Sequence, residues 1–365
     1  MRLDFDDNFY KLLRAKNDYK KQILIIGKIL KENVEKYNPP DKVKNEKILT
    51  EINYKGILSL NGQVKNLCEL KKNKFLIANI INKANNNEEI SIFRKEENEN
   101  SKKYEYFIST QEEGEIISLV GLKNDKLLMV KTNQFKILKI DEYQNEIKEI
   151  QKFDLCGDVH FKQIIELING YLVSITYSNT NNNEIVLWKK NLINENYDKI
   201  GTVKKKRKPL GILEIDKHYF LVNYEGNKIR IYESKTVKRI FKKTIKNQLD
   251  IKKMIKIDEY NFLMINTEYT ILFNLKYFQI KILDTQNYIN DILYISNSNN
   301  YFYSVVLKNN TYIISLLYLN LYKDKIISFI GEDIKSEEKI NCIYELSDGT
   351  IANGCDKDIK LWEIK

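Results

Sequence analysis

A chain of 365 residues with 43% hydrophobic residues, 30% charged residues and a mean hydropathy of −0.46 is too apolar to remain unfolded and too polar to live inside a bilayer. Three prolines and thirteen glycines exclude collagen-like and proline-rich low-complexity classes. The formal charge of +10 would ordinarily signal attraction to polyanions, but Ala15, Ala78, Ala84 and Ala352 are the only alanines among abundant Asn, Lys, Ile and Tyr, a skew that A+T-rich coding produces without selection for binding.

The first residues, Met1-Arg2-Leu3-Asp4-Phe5-Asp6-Asp7, put acids where a secretory signal needs a basic end and an apolar run, and no stretch of 18 uninterrupted apolar residues occurs. The expectation is an intracellular protein, cytoplasmic and not membrane-spanning. Between Asn8 and Tyr37 the apolar residues Phe9, Leu12, Leu13, Ile23, Ile26, Leu30 and Val34 recur at helical separations, and Pro39-Pro40 stops the pattern. This predicts an N-terminal helical extension over residues 1–50, packed either on the rest of the molecule or into a partner.

From residue 51 onward one short pattern returns seven times. A first run with apolar residues at i, i+3 and i+6, such as Val64, Leu67, Leu70 or Ile340, Ile343, Leu346, is followed by a polar turn and a second apolar run. A third run then ends on a bulky residue placed directly after another apolar one: Phe93, Leu138, Trp188, Tyr232, Phe273, Leu317 and Trp362. The intervals between these endpoints are 45, 50, 44, 41, 44 and 45 residues, the period of a four-stranded propeller blade. The runs are short, β-branched and aromatic, and are broken by Asn, Asp, Gly and Lys, so they read as strands. The fold class expected is all-β, a seven-bladed β-propeller of four-stranded antiparallel blades spanning residues 51–365. The chain stops after the third strand of the seventh unit, and residues 54–60 have the composition to supply the missing outer strand and close the ring.

The last unit, Leu346-Ser347-Asp348-Gly349-Thr350-Ile351-Ala352-Asn353-Gly354-Cys355-Asp356-Lys357-Asp358-Ile359-Lys360-Leu361-Trp362-Glu363, resembles the WD-repeat consensus, with Asp356 six residues before Trp362 and Glu363 in place of the usual Asp. The resemblance implies that Asp356 sits in the tight turn between the second and third strands and that Trp362 ends the third. Trp188 takes the same place in the third unit but is followed by Lys189, and the Gly-His pair that opens a regular repeat is absent. A divergent member, with an eroded hydrogen-bonded tetrad, is the expectation.

Chemistry is sparse. His160 and His218 are the two histidines, each two residues after an acid, Asp158 and Asp216, and no Gly-x-Ser-x-Gly or phosphate-cradling glycine loop occurs. Cys68, Cys156, Cys342 and Cys355 are too scattered for the usual zinc spacings and read as small apolar residues of a reducing compartment. No catalytic residue, cofactor or metal is expected, and the protein is read as non-enzymatic. The sharpest local feature is the run Lys204, Lys205, Lys206, Arg207, Lys208 before Pro209, placed between the outer strand of one blade and the inner strand of the next. It resembles a nuclear-localisation signal and equally suits a partner-binding loop. The function expected is a protein–protein interaction scaffold or adaptor within a larger complex, its partners not identified. The alternative is a polyanion-binding module that takes nucleic acid or anionic lipid through residues 204–208.

Overall fold

The computed structural model describes residues 52–364, except 72–73, 83–86, 97–102, 181, 194, 227, 245–250, 252, 259, 266–269, 277–278, 284–288, 295–300, 309–310, 321–324 and 329–333. The expected helix lies outside the described residues. What is described is a succession of antiparallel sheets built from strands consecutive in sequence. Blade 1 runs Gln63–Leu70, Phe75–Ile81, Glu88–Lys95, Tyr104–Glu112, and blade 2 runs Ile116–Gly121, Leu127–Lys131, Gln134–Asp141, Glu146–Asp154. Blade 3 is Val159–Glu166, Leu172–Ser178, Asn183–Lys190, Tyr197–Lys205, and blade 4 is Pro209–Asp216, Tyr219–Tyr224, Lys228–Glu233, Arg239–Thr244. Blade 5 is Lys253–Lys256, Asn261–Ile265, Thr270–Asn274, Gln279–Leu283. A closing blade joins Cys342–Glu345, Ile351–Gly354 and Asp358–Ile364 to the distant strand Ile52–Ser59. The first strands touch one another in a cycle that returns from the closing blade to blade 1, so they line the centre of a β-propeller.

The expectation of four strands per blade holds for these six and needs correction between blade 5 and the closing blade, where the sheet has five strands. There Ile289–Tyr294, Tyr301–Lys308 and Thr311–Asn320 pair in order, and the outer edge of Thr311–Asn320 carries two short strands. Lys325–Ser328 pairs with its C-terminal half and Ile334–Ser336 with its N-terminal half, in registers that differ by three residues. The fifth strand is thus an outer strand broken in two.

Burial explains the sequence pattern. The second strands are sandwiched between neighbouring blades, and Phe75–Ile81, Leu127–Lys131, Tyr219–Tyr224 and Asn261–Ile265 are buried almost throughout, which is why they read as continuous apolar runs. The outer strand Tyr197–Lys205 is mostly exposed and correspondingly charged. Each core cluster joins two adjacent blades, as when Leu119, Leu127 and Met129 of blade 2 meet Phe75, Ile77 and Ile92 of blade 1. Between blades 2 and 3 the packing is aromatic: the Phe135 ring lies 5.5 Å from Phe153, 5.7 Å from Phe161 and 5.2 Å from Trp188.

Two β-bulges repeat around the ring. In the first strands of blades 1 to 4 and of the sheet starting at Ile289, the pairing skips one residue: Lys65, Ile117, Lys162, Leu210 or Asn290. Opposite the bulky endpoint of the third strand, the outer strand carries an extra residue, Phe107, Ile150, Ile200 or Ile240. The strand Ile52–Ser59 reproduces that device, since Tyr54 pairs with Trp362 and Gly56 with Leu361 while Lys55 is skipped. A segment some 300 residues away in sequence therefore occupies the outer position with the register and bulge of a native fourth strand.

Candidate interaction surfaces

Because consecutive strands run antiparallel, turns between first and second strands and between third and fourth strands emerge at one end of the ring. The other two classes of turn emerge at the opposite end. The basic run therefore lies at the end away from the turns at 121–126 and 166–171.

At that first end a repeated clasp joins the blades. Near the C-terminal ends of three first strands, Glu69, Glu166 and Glu214 each accept a backbone N–H from the turn of the preceding blade: Ser347 at 2.8 Å, Lys123 at 2.8 Å and Ile168 at 2.5 Å. Ser347 Oγ adds a second bond to Glu69 at 2.6 Å. In blade 2 the same position is Gly121, where a Cβ would fall 2.0 Å from the Glu69 carbonyl oxygen, and in blade 5 it is Lys256, whose ammonium donates to the Ile215 carbonyl. Burial raises all three glutamic acids above their ordinary 4.5, the donated hydrogen bonds pulling the other way. A carboxyl raised in the fold holds its proton more tightly there than in the unfolded chain. Its stabilising contribution is thus fully present below 4.5 and is lost as pH rises through the folded value. Glu214→Gln keeps an oxygen for the Ile168 amide and removes the titration. Its melting temperature relative to the parent is expected to rise as pH climbs above 4.5, and a difference independent of pH contradicts a raised Glu214 carboxyl.

Beside two of these clasps opens a cleft of about 420 Å³ lined by Lys123, Glu166, Ile168, Tyr171, Lys190 and Leu192 among others. Its rim carries the apolar side chains most exposed to solvent in this part of the molecule, Leu192 at 91% and Ile193 at 94%, with Ile168 at 56%. Leu192 and Ile193 lie between the third and fourth strands of blade 3, among residues tied by hydrogen bonds and an ion pair. Asn191 accepts the Ile193 N–H at 2.9 Å and donates to Asp198 at 3.0 Å, and Lys126 bonds Glu195 at 2.6 Å. Leu192 and Ile193 on one connection and Ile168 on another, all kept in water beside a concave apolar floor with lysines at the edge, make a surface suited to another protein. Sequence reading passed over it because Asn191-Leu192-Ile193-Asn194-Glu195-Asn196 looks like any polar connector.

At the opposite end the basic run is placed differently from expectation. Lys204 and Lys205 are the last residues of the strand Tyr197–Lys205, leaving Lys206, Arg207 and Lys208 as the loop before Pro209–Asp216. Lys208 Nζ lies 4.1 Å from the centre of the Tyr177 ring, and Lys205 Nζ 5.6 Å from that of Tyr232. Arg230 stacks at 4.7 Å on Tyr224, whose hydroxyl meets that of Tyr232 at 2.6 Å. Burial, and then the guanidiniums of Arg230 and Arg239, push the Lys205 ammonium down to about 8. Among the described residues, no carboxylate forms an ion pair with Lys205, Arg230 or Arg239.

Trp188 lies within Asn183–Lys190 and Trp362 within Asp358–Ile364, each two residues before the strand's end. Asp356 lies in the turn between Ile351–Gly354 and Asp358–Ile364, and its Oδ1 is 3.3 Å from the Asn341 amide nitrogen. The Trp188 indole N–H donates to Ser174 Oγ at 3.0 Å, and that of Trp362 to Asn353 Oδ1 at 2.5 Å. Ser174 and Asn353 are each two residues beyond the cross-strand partner of their tryptophan. Where the endpoint is instead Phe93, Leu138, Tyr232 or Phe273, the same position is Ala78, Met129, Val222 or Met264. The hydrogen bond and the tryptophan are therefore lost together, and packing replaces both. The acids before the two histidines serve local turns. Asp158 accepts from Ser178 Oγ at 3.0 Å, and Asp216 accepts the backbone N–H groups of His218 and Tyr219 at 2.7 and 2.9 Å.

An all-β ring of four-stranded radial blades, tied by tryptophan-to-second-strand hydrogen bonds and an aspartate at the tight turn, has the architecture of the WD-repeat β-propellers. Comparison with solved structures bears this out. A chain of a mitotic checkpoint complex crystal structure is similar over 90% of this chain and 98% of its own, with a TM-score of 0.63 and 12% identity. The WD40 β-propeller domain of Doa1 is similar over 86% of this chain and 97% of its own, with a TM-score of 0.59 and 10% identity. No family model and no curated protein matches the sequence. Among the described residues, no helix is long and apolar enough to cross a membrane.

Proposed function

We propose that this chain is a non-enzymatic platform for protein partners, an adaptor in a larger assembly. In this reading the six regular blades and the broken sheet act together as seven members of one ring, residues 51–365, with residues 1–50 as a separate extension. The observation that carries it is the braced, fully exposed pair Leu192 and Ile193 beside the 420 Å³ cleft. Burying two such side chains contributes about 1.5–3 kcal/mol each to an interface. The rigid ring supports the reading as well, because it holds loops at both ends in fixed positions while leaving their sequences free.

Replacing Leu192 and Ile193 together with aspartate is expected to strip the partners captured by the intact chain while moving its own stability by no more than about 0.5 kcal/mol, since neither side chain packs in the core. The same capture with residues 1–50 removed assigns any remaining partners to the ring or to the extension. An unchanged partner set in the double variant overturns the assignment to the cleft.

A second reading, a polyanion-binding module, draws support from the cation cluster of Lys205, Arg230 and Arg239, for which no carboxylate ion pair occurs among the described residues. Phosphate contacts would make affinity fall steeply with salt, so an affinity unchanged between low and moderate ionic strength removes it. Cytoplasmic location, with nuclear import through residues 204–208 as the alternative, accompanies either reading.

A further inference from the structure

The closing blade holds a side-chain cluster that neither surface uses. Glu338, Cys355 and Asp358 each bring one potential ligand atom to within 4.8 Å of the others. Cys355 is fully buried and Asp358 is 7% exposed. Oδ1 of Asp358 and Oε2 of Glu338 are themselves buried and have no hydrogen-bond partner outside the cluster, whose own members are their nearest polar neighbours. Lys360 Nζ stands 3.7 Å from Glu338 and 3.9 Å from Asp358, near enough to compensate charge and too far to hydrogen-bond. Two carboxylates and a thiol turned toward one another, with these oxygens out of water, cost free energy unless something positive sits between them.

We propose that Glu338, Cys355 and Asp358 bind a thiophilic divalent cation, zinc by the chemistry of the donors. A sulfur ligand disfavours magnesium and calcium, and one sulfur with two carboxylate oxygens suits zinc or cobalt. Charge closes as well: zinc offsets two of the three negative charges of a thiolate and two carboxylates, and Lys360 offsets the third. Zinc–sulfur bonds of about 2.3 Å and zinc–oxygen bonds of about 2.0–2.2 Å bring tetrahedral donors to roughly 3.5 Å apart, so the cluster needs to contract by about 1 Å. The sulfur already has an outer partner, because Asn353 Nδ2 donates to Cys355 Sγ at 3.2 Å while its oxygen is held by Trp362.

The spacing Cys355-x-x-Asp358 puts two donors on one tight turn, and Glu338 comes from the segment preceding Cys342–Glu345. The same turn receives blade 1: the Val64 N–H donates to the Cys355 carbonyl at 2.9 Å and the Leu60 N–H to that of Lys357 at 2.7 Å. The ion would brace the junction where the ring closes. A proton shared between the two carboxyls is the competing occupant, and it gives no metal response.

The test is titration of the chelator-treated full chain with zinc, followed by melting temperature, and with cobalt, followed by absorption. One equivalent of zinc is expected to raise the melting temperature, and cobalt to give a sulfur-to-metal charge-transfer band that survives Cys156→Ser, the exposed thiol. The band should vanish in Cys355→Ser, and Glu338→Gln should weaken cobalt binding at least tenfold. If the Cys355 variant does not fold, the half-buried Glu338→Gln decides. No metal response in the parent chain, or an equal affinity in Glu338→Gln, overturns the proposal.

Discussion

Replacing Trp188 with alanine is expected to destabilise the ring by about 3–5 kcal/mol, a large share of the about 5–15 kcal/mol available to a folded domain. The indole is fully buried and is wedged at 5.2 Å from Phe135 and 4.6 Å from Phe153, so its loss opens a cavity at the seam of blades 2 and 3. Part of the cost is polar, because Ser174 Oγ, wholly buried, loses its donor. Trp188→Phe separates the two contributions: it refills most of the volume but leaves the serine unpaired, at about 1–3 kcal/mol. Adding Ser174→Ala to Trp188→Phe should recover most of that loss, since Ala78 with Phe93 in blade 1 is that combination already. Chemical denaturation of the three variants checks this, and additive effects of the two substitutions contradict it.

That pairing also explains how much of the fold was legible in the sequence. The endpoints Phe93, Leu138, Trp188, Tyr232 and Trp362 stood out because each faces a bulge in the outer strand, a position that takes a bulky side chain in whatever chemical form. Strand order and the closing role of residues near 54–60 followed from the same periodicity. The broken outer strand did not, because Lys325–Ser328 and Ile334–Ser336 differ in register and neither carries a full apolar alternation. The clasps were invisible for another reason. Glu69, Glu166 and Glu214 do recur at one repeat position, which Gly121 and Lys256 fill in other blades, but a glutamate near a strand end carries no sign in sequence that it accepts a backbone N–H from the neighbouring blade. The basic run was legible only as five consecutive cations, since its neighbours Arg230 and Arg239 come from blade 4 and only folding brings them to Lys205. The apolar cleft had no sequence signal at all, being assembled from short pieces of chain around positions 123, 168 and 190 that only folding brings together.

The second large effect concerns closure. Deleting residues 52–59 is expected to cost on the order of 5 kcal/mol and to leave the chain prone to aggregation. Seven cross-strand pairs with Asp358–Ile364 disappear, from Ile52 with Ile364 to Ser59 with Asp358, together with the Lys55–Glu363 ion pair at 2.7 Å. Leu58 also leaves the cluster in which it packs with Leu346, Ala352, Ile359 and Leu361, opening the seam between the closing blade and blade 1. The edge of the third strand is then exposed for pairing with another molecule. A truncated chain that stays monomeric and melts where the parent melts contradicts this.

Everything functional rests on the ring being shut, since an open arc would not hold the cleft and the basic face in fixed positions. The direct measurement is a cross-link between Leu58 and Ile359, which face each other in the closing pair. With both changed to cysteine and the native cysteines Cys156 and Cys342 changed to serine, oxidation should give an intramolecular disulfide in the folded monomer, which migrates anomalously in denaturing gels and unfolds at a higher temperature than its reduced form. Failure to form that bond, or its formation only between separate molecules, would mean that residues 52–59 do not complete the closing blade.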